Sequence, residues 1–462
     1  MINTILHLLD RWYMLFIFVI ILLAAIVITP TNAQKAGNTK EDVSARASEP
    51  LKDIVSDTAQ APSETDTNDI IADTSNTPRR VRPEHPYYFI ANYTQRFDDN
   101  VSLSREDSKS DLIYLPEIGF GIVRASAHSL MRLDYLGGAE IHQRFSDLNG
   151  ALHVLDAGLE YDLTKRFLIF ANNQYLQRPQ TAGLSPFTTS PVLGAPAFNV
   201  LTASRSIHNN FNIGSTYQLS KFSNLRAAYS YTIARFREQR LIDTDAHSLE
   251  VSYTRQMSKT RSYSLEYRTD IYNKGRDLIT HTLLPGLRYR RAGLLLRIGV
   301  GPQIVNSARN DAKFSWAALA EIGYRRERMA YGLTYTSGVG TSGGLAAATR
   351  NHSLYGTVEY IFSERWETAI RLGYSRAYNS QALIPSPLLP TGFTNNELIF
   401  ENRTSYRAGD RFTVFFDYLH SRQYGSGVAI ADLNRNRFSI GIRFDTRRSV
   451  SPMRTAHKRV GS

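Results

Sequence analysis

From residue 87 onward the chain alternates apolar and polar residues in runs of about ten, the period of a β-strand with one apolar and one polar face. The clearest run places Phe438, Ile440 and Ile442 on one face and Arg437 and Ser439 on the other. Runs with the same pattern begin at residues 294, 366 and 412. The pattern predicts an all-β domain over residues 87–446.

The placement of aromatic residues favours a membrane barrel over a soluble sandwich, which would show the same alternation. Apolar faces often end in aromatic residues such as Trp366, Tyr374 and Phe444, as expected for girdles at the two membrane interfaces. Runs of about nine to eleven residues also match the length of a tilted strand that crosses the hydrocarbon layer.

The connections between the runs alternate in length. Tight polar turns are predicted at residues 124–128, 162–166, 221–224, 257–260, 290–293, 325–328, 362–365 and 407–410. Longer irregular stretches separate them, the longest being 177–206 and 380–395. This order is typical of bacterial barrels with short periplasmic turns and longer outer loops. We therefore predict a transmembrane antiparallel up-and-down β-barrel of about 18 strands (about 16–18), with both ends in the periplasm.

The N-terminal region predicts export. An apolar run at residues 13–27 follows Arg11 and precedes small residues, which indicates a signal peptide (1–33) cleaved near Ala33. Because Asp10 beside Arg11 is atypical, an uncleaved inner-membrane anchor remains the alternative. Residues 34–86 are polar and lack a hydrophobic pattern, so we predict a disordered periplasmic spacer. The barrel follows over 87–446, and then a basic periplasmic tail over 447–462.

Composition narrows the function classes. The 462 residues include 26 Tyr, 22 Phe and 29 Gly but no Cys, so disulfides, thiolate metal sites and a cysteine nucleophile are excluded. The mean hydropathy of −0.30 argues against a bundle of membrane helices. The net charge of +12 lies largely in the tail and in single arginines within strand-like runs. No nucleic-acid-binding motif accompanies it, so we expect no nucleic-acid partner.

The first predicted hairpin carries the segments FDDNV (97–101), SDLI (110–113) and LPEIG (115–119). These resemble the opening of the β-barrel porin 2 family over about the first 35 residues of the barrel. The resemblance implies an outer-membrane barrel without catalytic residues, in a family with some members linked to exopolysaccharide production or export. The last run, ending at Phe444, is similar to the aromatic-terminated strand that the barrel assembly machinery recognises, which makes that machinery an expected partner.

Charged residues on the predicted inner faces are candidates for lining the lumen. They are Glu160, Arg226, Glu250, Glu266, Arg268, Arg288, Arg297, Glu321, Arg371 and Arg443. One interpretation is a ladder of cross-strand ion pairs that stiffens the wall, and the other is a field that sorts solutes by charge. With Glu359, Glu367 and Arg325, which are also expected to face inward, the predicted lumen carries six acids and seven bases, and these near-equal numbers favour weak selectivity. The stretch 177–206 is long enough to fold inward as a constriction.

The sequence offers few candidates for an enzymatic or metal site. Histidines expected near the outer ends are His142, His208, His247, His281, His352 and His420, but we expect no nucleophile elbow or zinc motif with them. Aspartates of the first outer loop could bind calcium, although the EF-hand spacing is missing. We expect no catalytic residue, cofactor or metal.

The predicted function is porin-like passage of small hydrophilic solutes or exopolysaccharide across a bacterial outer membrane. Outer-membrane lipid and lipopolysaccharide are the expected surroundings. The alternatives are a non-conducting structural or surface-interaction barrel and, third, an outer-membrane hydrolase.

Overall fold

The computed structural model describes residues 86–104, 107–178, 206–237, 243–273, 278–307, 310–341, 348–378, 394–426 and 432–446. The predicted signal peptide, the spacer before Pro86 and the tail lie outside these residues, as do most of the stretches 177–206 and 380–395. Their division from the barrel stays a prediction. Within the described residues, no helix is long and apolar enough to span a bilayer.

The described chain forms eighteen antiparallel strands that close into a barrel. The strands are β1 (Tyr87–Asp98), β2 (Asp111–Ala125), β3 (Ser129–His142), β4 (Gly150–Thr164), β5 (Phe167–Arg178), β6 (Ser206–Ser220), β7 (Ser223–Phe236), β8 (Thr244–Ser258), β9 (Arg261–Asn273), β10 (Leu278–Arg291), β11 (Leu294–Ser307), β12 (Asn310–Arg326), β13 (Met329–Thr341), β14 (Ala348–Ile361), β15 (Trp366–Tyr378), β16 (Thr394–Arg407), β17 (Phe412–Ser426) and β18 (Leu433–Asp445). Each strand pairs with its neighbour in sequence, and β1 also pairs with β18. The predicted fold class is confirmed.

The barrel has two unlike ends. At one end, here called the turn end, two- to four-residue connections join β2–β3, β4–β5 and so on to β16–β17. All eight predicted turns coincide with these connections. Ala292 and Gly293 both have positive φ in the two-residue turn between β10 and β11, as a type I′ hairpin turn requires.

The opposite end, here called the loop end, is less uniform than expected. Its connections reach 27 residues between β5 and β6 (179–205), but β11 and β12 are joined by only two residues (308–309). The expectation of a long stretch after every second strand is therefore wrong at that hairpin. Since β1 begins and β18 ends at the turn end, both ends of the barrel domain lie there.

Strand alternation separates an apolar outer face from a polar inner face. On β18 the outer residues Ile440 and Ile442 are 56% and 52% exposed, whereas the inner residues Ser439 and Arg443 are each 6% exposed. The same division holds along the other strands, with exposed outer side chains such as Leu372. An apolar surface of this extent facing outward is stable only against lipid.

Aromatic pairs mark the outer surface near the turn end. The ring centroids of Trp366 and Tyr406 lie 4.7 Å apart, and those of Phe412 and Phe444 lie 5.1 Å apart. Near the loop end, tyrosines instead pair with histidines of the next strand. The two sets bound the apolar band, as interfacial girdles do.

The contact between β1 and β18 is tied at its loop end by polar side chains. The Asp98 carboxylate is fully buried and accepts hydrogen bonds from Arg435 Nε at 2.9 and 3.0 Å and from the Asn100 backbone N–H at 3.0 Å. Asp99 accepts bonds from the backbone N–H and Nδ2 of Asn436, both at 2.7 Å. The FDDNV segment thus joins the first strand to the last.

Candidate functional site

The inner surface of the barrel is the candidate site because the charged residues of the strands converge there. Strand parity places all ten predicted lumen-lining residues at inward-facing positions; they are Glu160, Arg226, Glu250, Glu266, Arg268, Arg288, Arg297, Glu321, Arg371 and Arg443. Their contact with a solute stays a prediction.

Acidic residues dominate the inner face of β2–β4. The inward-facing acids are Asp111, Glu117, Asp134, Glu140, Asp156, Glu160 and Asp162. The same face of these three strands carries one arginine, Arg132, whose Nε binds the Asp134 carboxylate. This acidic wall therefore has a net negative charge.

Basic residues dominate the inner face of β10–β12. The inward-facing bases are Arg288, Arg290, Arg297, Lys313 and Arg325. Glu321 is the one acid among the described side chains of this face. In a closed sheet of eighteen strands, β12 is nine strands from β3, which is half-way around the ring. The acidic and basic walls therefore face each other across the lumen.

Between the two walls, β7–β9 carry a mixed cluster. The Arg268 guanidinium Nε lies 2.7 Å from Asp270 Oδ1 and 3.1 Å from Ser248 Oγ. Glu250 and Arg268 are directly paired in register, and Arg226 lies over the Phe170 ring at 4.6 Å. All of these side chains face inward, so opposite charges sit within contact range along the wall.

On β15–β17 the charged residues form cross-strand ion pairs. Arg403 makes a bidentate pair with Asp417, with both N–O distances 2.6 Å. Arg371 lies 3.3 Å from Glu401, and Arg407 Nη2 lies 3.7 Å from a Glu367 oxygen. The ion-pair ladder fits this sector, whereas the facing walls fit the interpretation of a field. A role of either arrangement in stiffening the wall or sorting solutes stays a prediction.

At the loop end, the end of β13 packs against inward-facing side chains of other strands, a contact that the sequence did not predict. Gln303, on the inner face of β11, accepts a hydrogen bond from the Val339 backbone N–H at 2.8 Å and donates one to the Val339 carbonyl at 3.2 Å. Val339 is 1% exposed and packs with the inward-facing Tyr272, Leu278 and Val305. The end of β13 therefore lies on the inner side of β10 and β11.

This crossing follows from where β12 and β13 separate. Their pairing runs from the turn end to Ala318 and Ser337 and is not continued beyond them. The separation coincides with the sequence Gly338-Val339-Gly340, in which two glycines flank a β-branched residue. Glycine in a strand often marks a bend. This local signal was available from the sequence, but the partner Gln303 was not.

The predicted histidines lie near the loop end on both faces. His142 faces inward, and its Nδ1 lies 3.0 Å from Asp111 Oδ2. His247, His281 and His352 face outward, and each Nδ1 lies 2.7–3.0 Å from a tyrosine hydroxyl of the adjacent strand. Two further predicted histidines are His208 on the inner face and His420, whose Nδ1 is 2.9 Å from Asn436 Oδ1.

The aspartates of the first outer loop have protein partners. Asp98 binds Arg435, Asp99 binds Asn436, and Asp107 lies 3.2 Å from Lys109. Among the described residues, no group of three His, Asp or Glu side chains is arranged to hold a metal ion.

One Gly-x-Ser-x-Gly sequence occurs at residues 340–344, contrary to the expectation that no such segment is present. A nucleophile elbow requires a sharp turn from a strand into a helix. Gly340 and Thr341 end β13, which pairs antiparallel with β14 and is not followed by a helix in the described residues, whereas residues 342–344 lie outside them.

Comparison with known proteins gives structural likeness without a family. No family model matches the chain, and no curated protein matches it. Solved structures similar to it include Pseudomonas aeruginosa OccK5 (OpdH), with 10% identity, a TM-score of 0.44 and coverage of 78% of this chain and 98% of that one. P. aeruginosa OccK2 (OpdF), solved in complex with glucuronate, has the same values. Acinetobacter baumannii OccAB4 has 8% identity, a TM-score of 0.45 and coverage of 80% and 100%.

Proposed function

We propose that this protein is a channel through which small hydrophilic solutes cross the outer membrane of a Gram-negative bacterium. The observation that carries the proposal is a closed barrel with an apolar outer surface, within which an acidic wall on β2–β4 faces a basic wall on β10–β12. A charged inner surface in a membrane barrel is stable against water, because the same groups facing lipid at mid-depth would cost about 2–4 kcal/mol for each Arg or Lys.

The facing walls give the channel a transverse electric field. A solute that carries both a positive and a negative group, or a strong dipole, lowers its energy by aligning with that field. Such a solute can exchange its hydration for contacts with both walls at once. We therefore propose polar and zwitterionic small molecules as the favoured cargo, in place of the weak selectivity expected from near-equal numbers of acids and bases.

The proposed orientation places the turn end in the periplasm, where short turns are found in bacterial barrels. The spacer and the basic tail would then share the periplasmic compartment. Insertion by the barrel assembly machinery is part of the same proposal, since Phe444 immediately precedes Asp445, the last residue of β18, at the turn end.

Conductance across a planar bilayer tests the proposal. The refolded protein should give discrete single-channel steps, and liposomes containing it should swell in small sugars and amino acids but progressively less in larger oligosaccharides. Heat-unfolded protein is the control. A folded barrel that gives neither steps nor swelling would contradict passage and support the alternative of a non-conducting structural barrel.

The same swelling series addresses exopolysaccharide, which the resemblance to the porin 2 family implies. Swelling in long oligosaccharides at a rate close to that in monosaccharides would favour a polymer as the cargo. The contact of Gln303 with Val339 narrows the loop end, so we expect the smaller solutes to pass faster.

A further inference from the structure

The outer surface at the loop end of β14–β17 concentrates positive charge and tyrosine rings. We call this the rim patch; its residues are His352, Tyr374, Arg376, Tyr378, Asn396, Arg422 and Tyr424. All of them occupy outward-facing positions. They therefore face away from the lumen and take no part in the proposed passage of solutes.

The register places the patch in one short row. His352 pairs with Arg376 on the next strand, Arg376 with Asn396, and Asn396 with Tyr424. Arg422 lies two residues from Tyr424 on the same strand. With strands about 4.8 Å apart and a rise of about 3.4 Å per residue, the Cα atoms of the two arginines are about 12 Å apart.

Repeated contacts hold the two arginines at the surface. The guanidinium of Arg376 lies 5.7 Å from the centre of the Tyr378 ring, and that of Arg422 lies 5.7 Å from the centre of the Tyr424 ring. Both arginines are exposed. A guanidinium held over a ring keeps its N–H groups directed sideways, where they can donate to an oxygen anion.

Hydrogen bonds and ring stacking also connect the residues of the rim patch to one another. The Tyr374 hydroxyl donates to Asn396 Oδ1 at 3.0 Å, and Asn396 Nδ2 donates to the Tyr424 carbonyl at 3.3 Å. The His352 ring stacks on the Tyr378 ring at 5.9 Å with an interplanar angle of 10°. These contacts order the side chains before any ligand arrives, which lowers the entropy cost of binding.

The charge of the rim patch and its height on the outer surface indicate which kind of ligand it binds. No acid stands at an outward-facing position anywhere on the described parts of β14–β17. By contrast, Arg235, at the loop end of β7, is neutralised by Asp245 at 2.6 Å. Directly below the patch lie the exposed apolar side chains Leu354 and Leu372. The patch therefore sits where the hydrocarbon layer gives way to lipid headgroups.

We propose that the rim patch binds the phosphate groups of an anionic glycolipid in the leaflet at the loop end. Arginine side chains form bidentate, charge-assisted hydrogen bonds to phosphate, and the apolar band below accommodates the acyl chains. This inference rests on the proposed membrane location but not on an open lumen. A barrel without conductance could still bind the lipid, so the two proposals fail separately.

The test is native mass spectrometry of the folded protein in detergent, titrated with bisphosphorylated lipid A, with its dephosphorylated form and with inorganic pyrophosphate. We expect the wild type to retain bisphosphorylated lipid A and to bind the dephosphorylated form much more weakly. The double variant Arg376→Gln/Arg422→Gln should bind bisphosphorylated lipid A about 30-fold more weakly, since each basic side chain near an anionic surface contributes about fivefold.

The matched control removes two exposed arginines from the turn end, one in the β12–β13 turn and one in the β14–β15 turn, as Arg328→Gln/Arg365→Gln. It should bind like the wild type. Heat-modifiable migration shows whether Arg376→Gln/Arg422→Gln folds. If it does not, Arg376→Lys/Arg422→Lys replaces it, because lysine keeps the charge but loses the bidentate geometry. Its affinity for lipid A should lie between those expected for the wild type and for Arg376→Gln/Arg422→Gln.

Three outcomes would overturn the assignment. One is an equal loss of lipid in Arg376→Gln/Arg422→Gln and in the turn-end control. Another is displacement of lipid A by pyrophosphate at equal concentration, which would make free phosphate the ligand. The third is a change in oligomeric mass in Arg376→Gln/Arg422→Gln with unchanged lipid retention, which would make a second copy of the chain the occupant.

Discussion

Asp98 and Arg435 form an ion pair between the first and last strands, in which the Asp98 side chain is fully buried and the Arg435 side chain is 3% exposed. Asp98→Asn removes the carboxylate charge from this buried pair. We expect the free energy of unfolding to fall by about 3–5 kcal/mol, as for other broken buried pairs. Chemical denaturation in micelles, followed by tryptophan fluorescence, measures the change.

Two comparisons sharpen this prediction. Asp107→Asn removes an exposed acid that contacts Lys109, and should change stability by less than about 1 kcal/mol. The double variant Asp98→Leu/Arg435→Met replaces the pair with apolar groups and should recover most of the loss. A double variant no more stable than Asp98→Asn would show that the pair is not the cause.

Gly441 on β18 leaves room for the inward-facing ring of Phe415 on β17. A methyl group at residue 441 would overlap that ring, whereas one at Gly409 would meet no atom within 4 Å. We expect Gly441→Ala to lower the free energy of unfolding by about 1–3 kcal/mol, the usual cost of overpacking. Gly409→Ala should have no comparable effect, and Phe415→Leu added to Gly441→Ala should relieve part of the loss.

At the level of elements, the strands and the eight tight turns could be predicted from the sequence because both signals are local. Alternation requires only neighbouring residues, and a polar turn such as 290–293 interrupts it visibly. The contact of Gln303 with Val339 joins residues 36 apart, and that of Asp98 with Arg435 joins residues 337 apart. No local pattern specifies such partners, so these contacts required the structure.

The end of β13 should act as a constriction whose closure depends on Gln303. Gln303→Leu removes the side-chain amide that bonds to the buried N–H and carbonyl of Val339. The packed position of β13 should then lose about 1–3 kcal/mol of stability. Without these bonds the end of β13 should leave the inner wall more often, and the channel should then conduct more current. We expect single-channel recordings of Gln303→Leu to show this higher conductance about tenfold more often than those of the wild type, since a loss of about 1.4 kcal/mol corresponds to a factor of ten.

Gln256, inward-facing near the turn end of β8, provides the matched control for Gln303. Gln256→Leu should leave the recordings unchanged. Identical recordings from Gln303→Leu and the wild type would mean that the end of β13 does not limit the current.

For the whole molecule, closing the ring turns a balanced list of charges into two opposed walls. The inward parity of Glu160 or Arg297 follows from alternation alone. That the two walls lie on opposite sides of the lumen follows only once the sheet is known to close with eighteen strands. Nine strands are then half of the circumference of the barrel. The expectation of weak selectivity counted the charges without this arrangement.

Neutralising two residues of the acidic wall and two residues of the basic wall should shift the ion selectivity of the channel in opposite directions. Glu117→Gln/Glu160→Gln should favour anions, and Arg288→Gln/Arg297→Gln should favour cations, by up to about fivefold in permeability ratio for about 1 kcal/mol of local energy. Reversal potentials in a salt gradient measure this. The shifts should shrink at 1 M salt, where charges are screened within about 3 Å. Shifts of the same sign in both variants would contradict opposed walls.

The pairing of β1 with β18 also means that the ring of strands has no inherent starting point. The Phe89 backbone N–H donates to Thr446 Oγ1 at 2.7 Å, so the two ends of the barrel domain meet at the same edge. A short linker could join these two ends, and new ends could be cut in the turn at Ala292 and Gly293. Every strand pair would be preserved, and only the covalent connection between β10 and β11 would be lost. The order in which strands leave the ribosome is thus separable from the architecture they build, and a circularly permuted chain should form the same barrel.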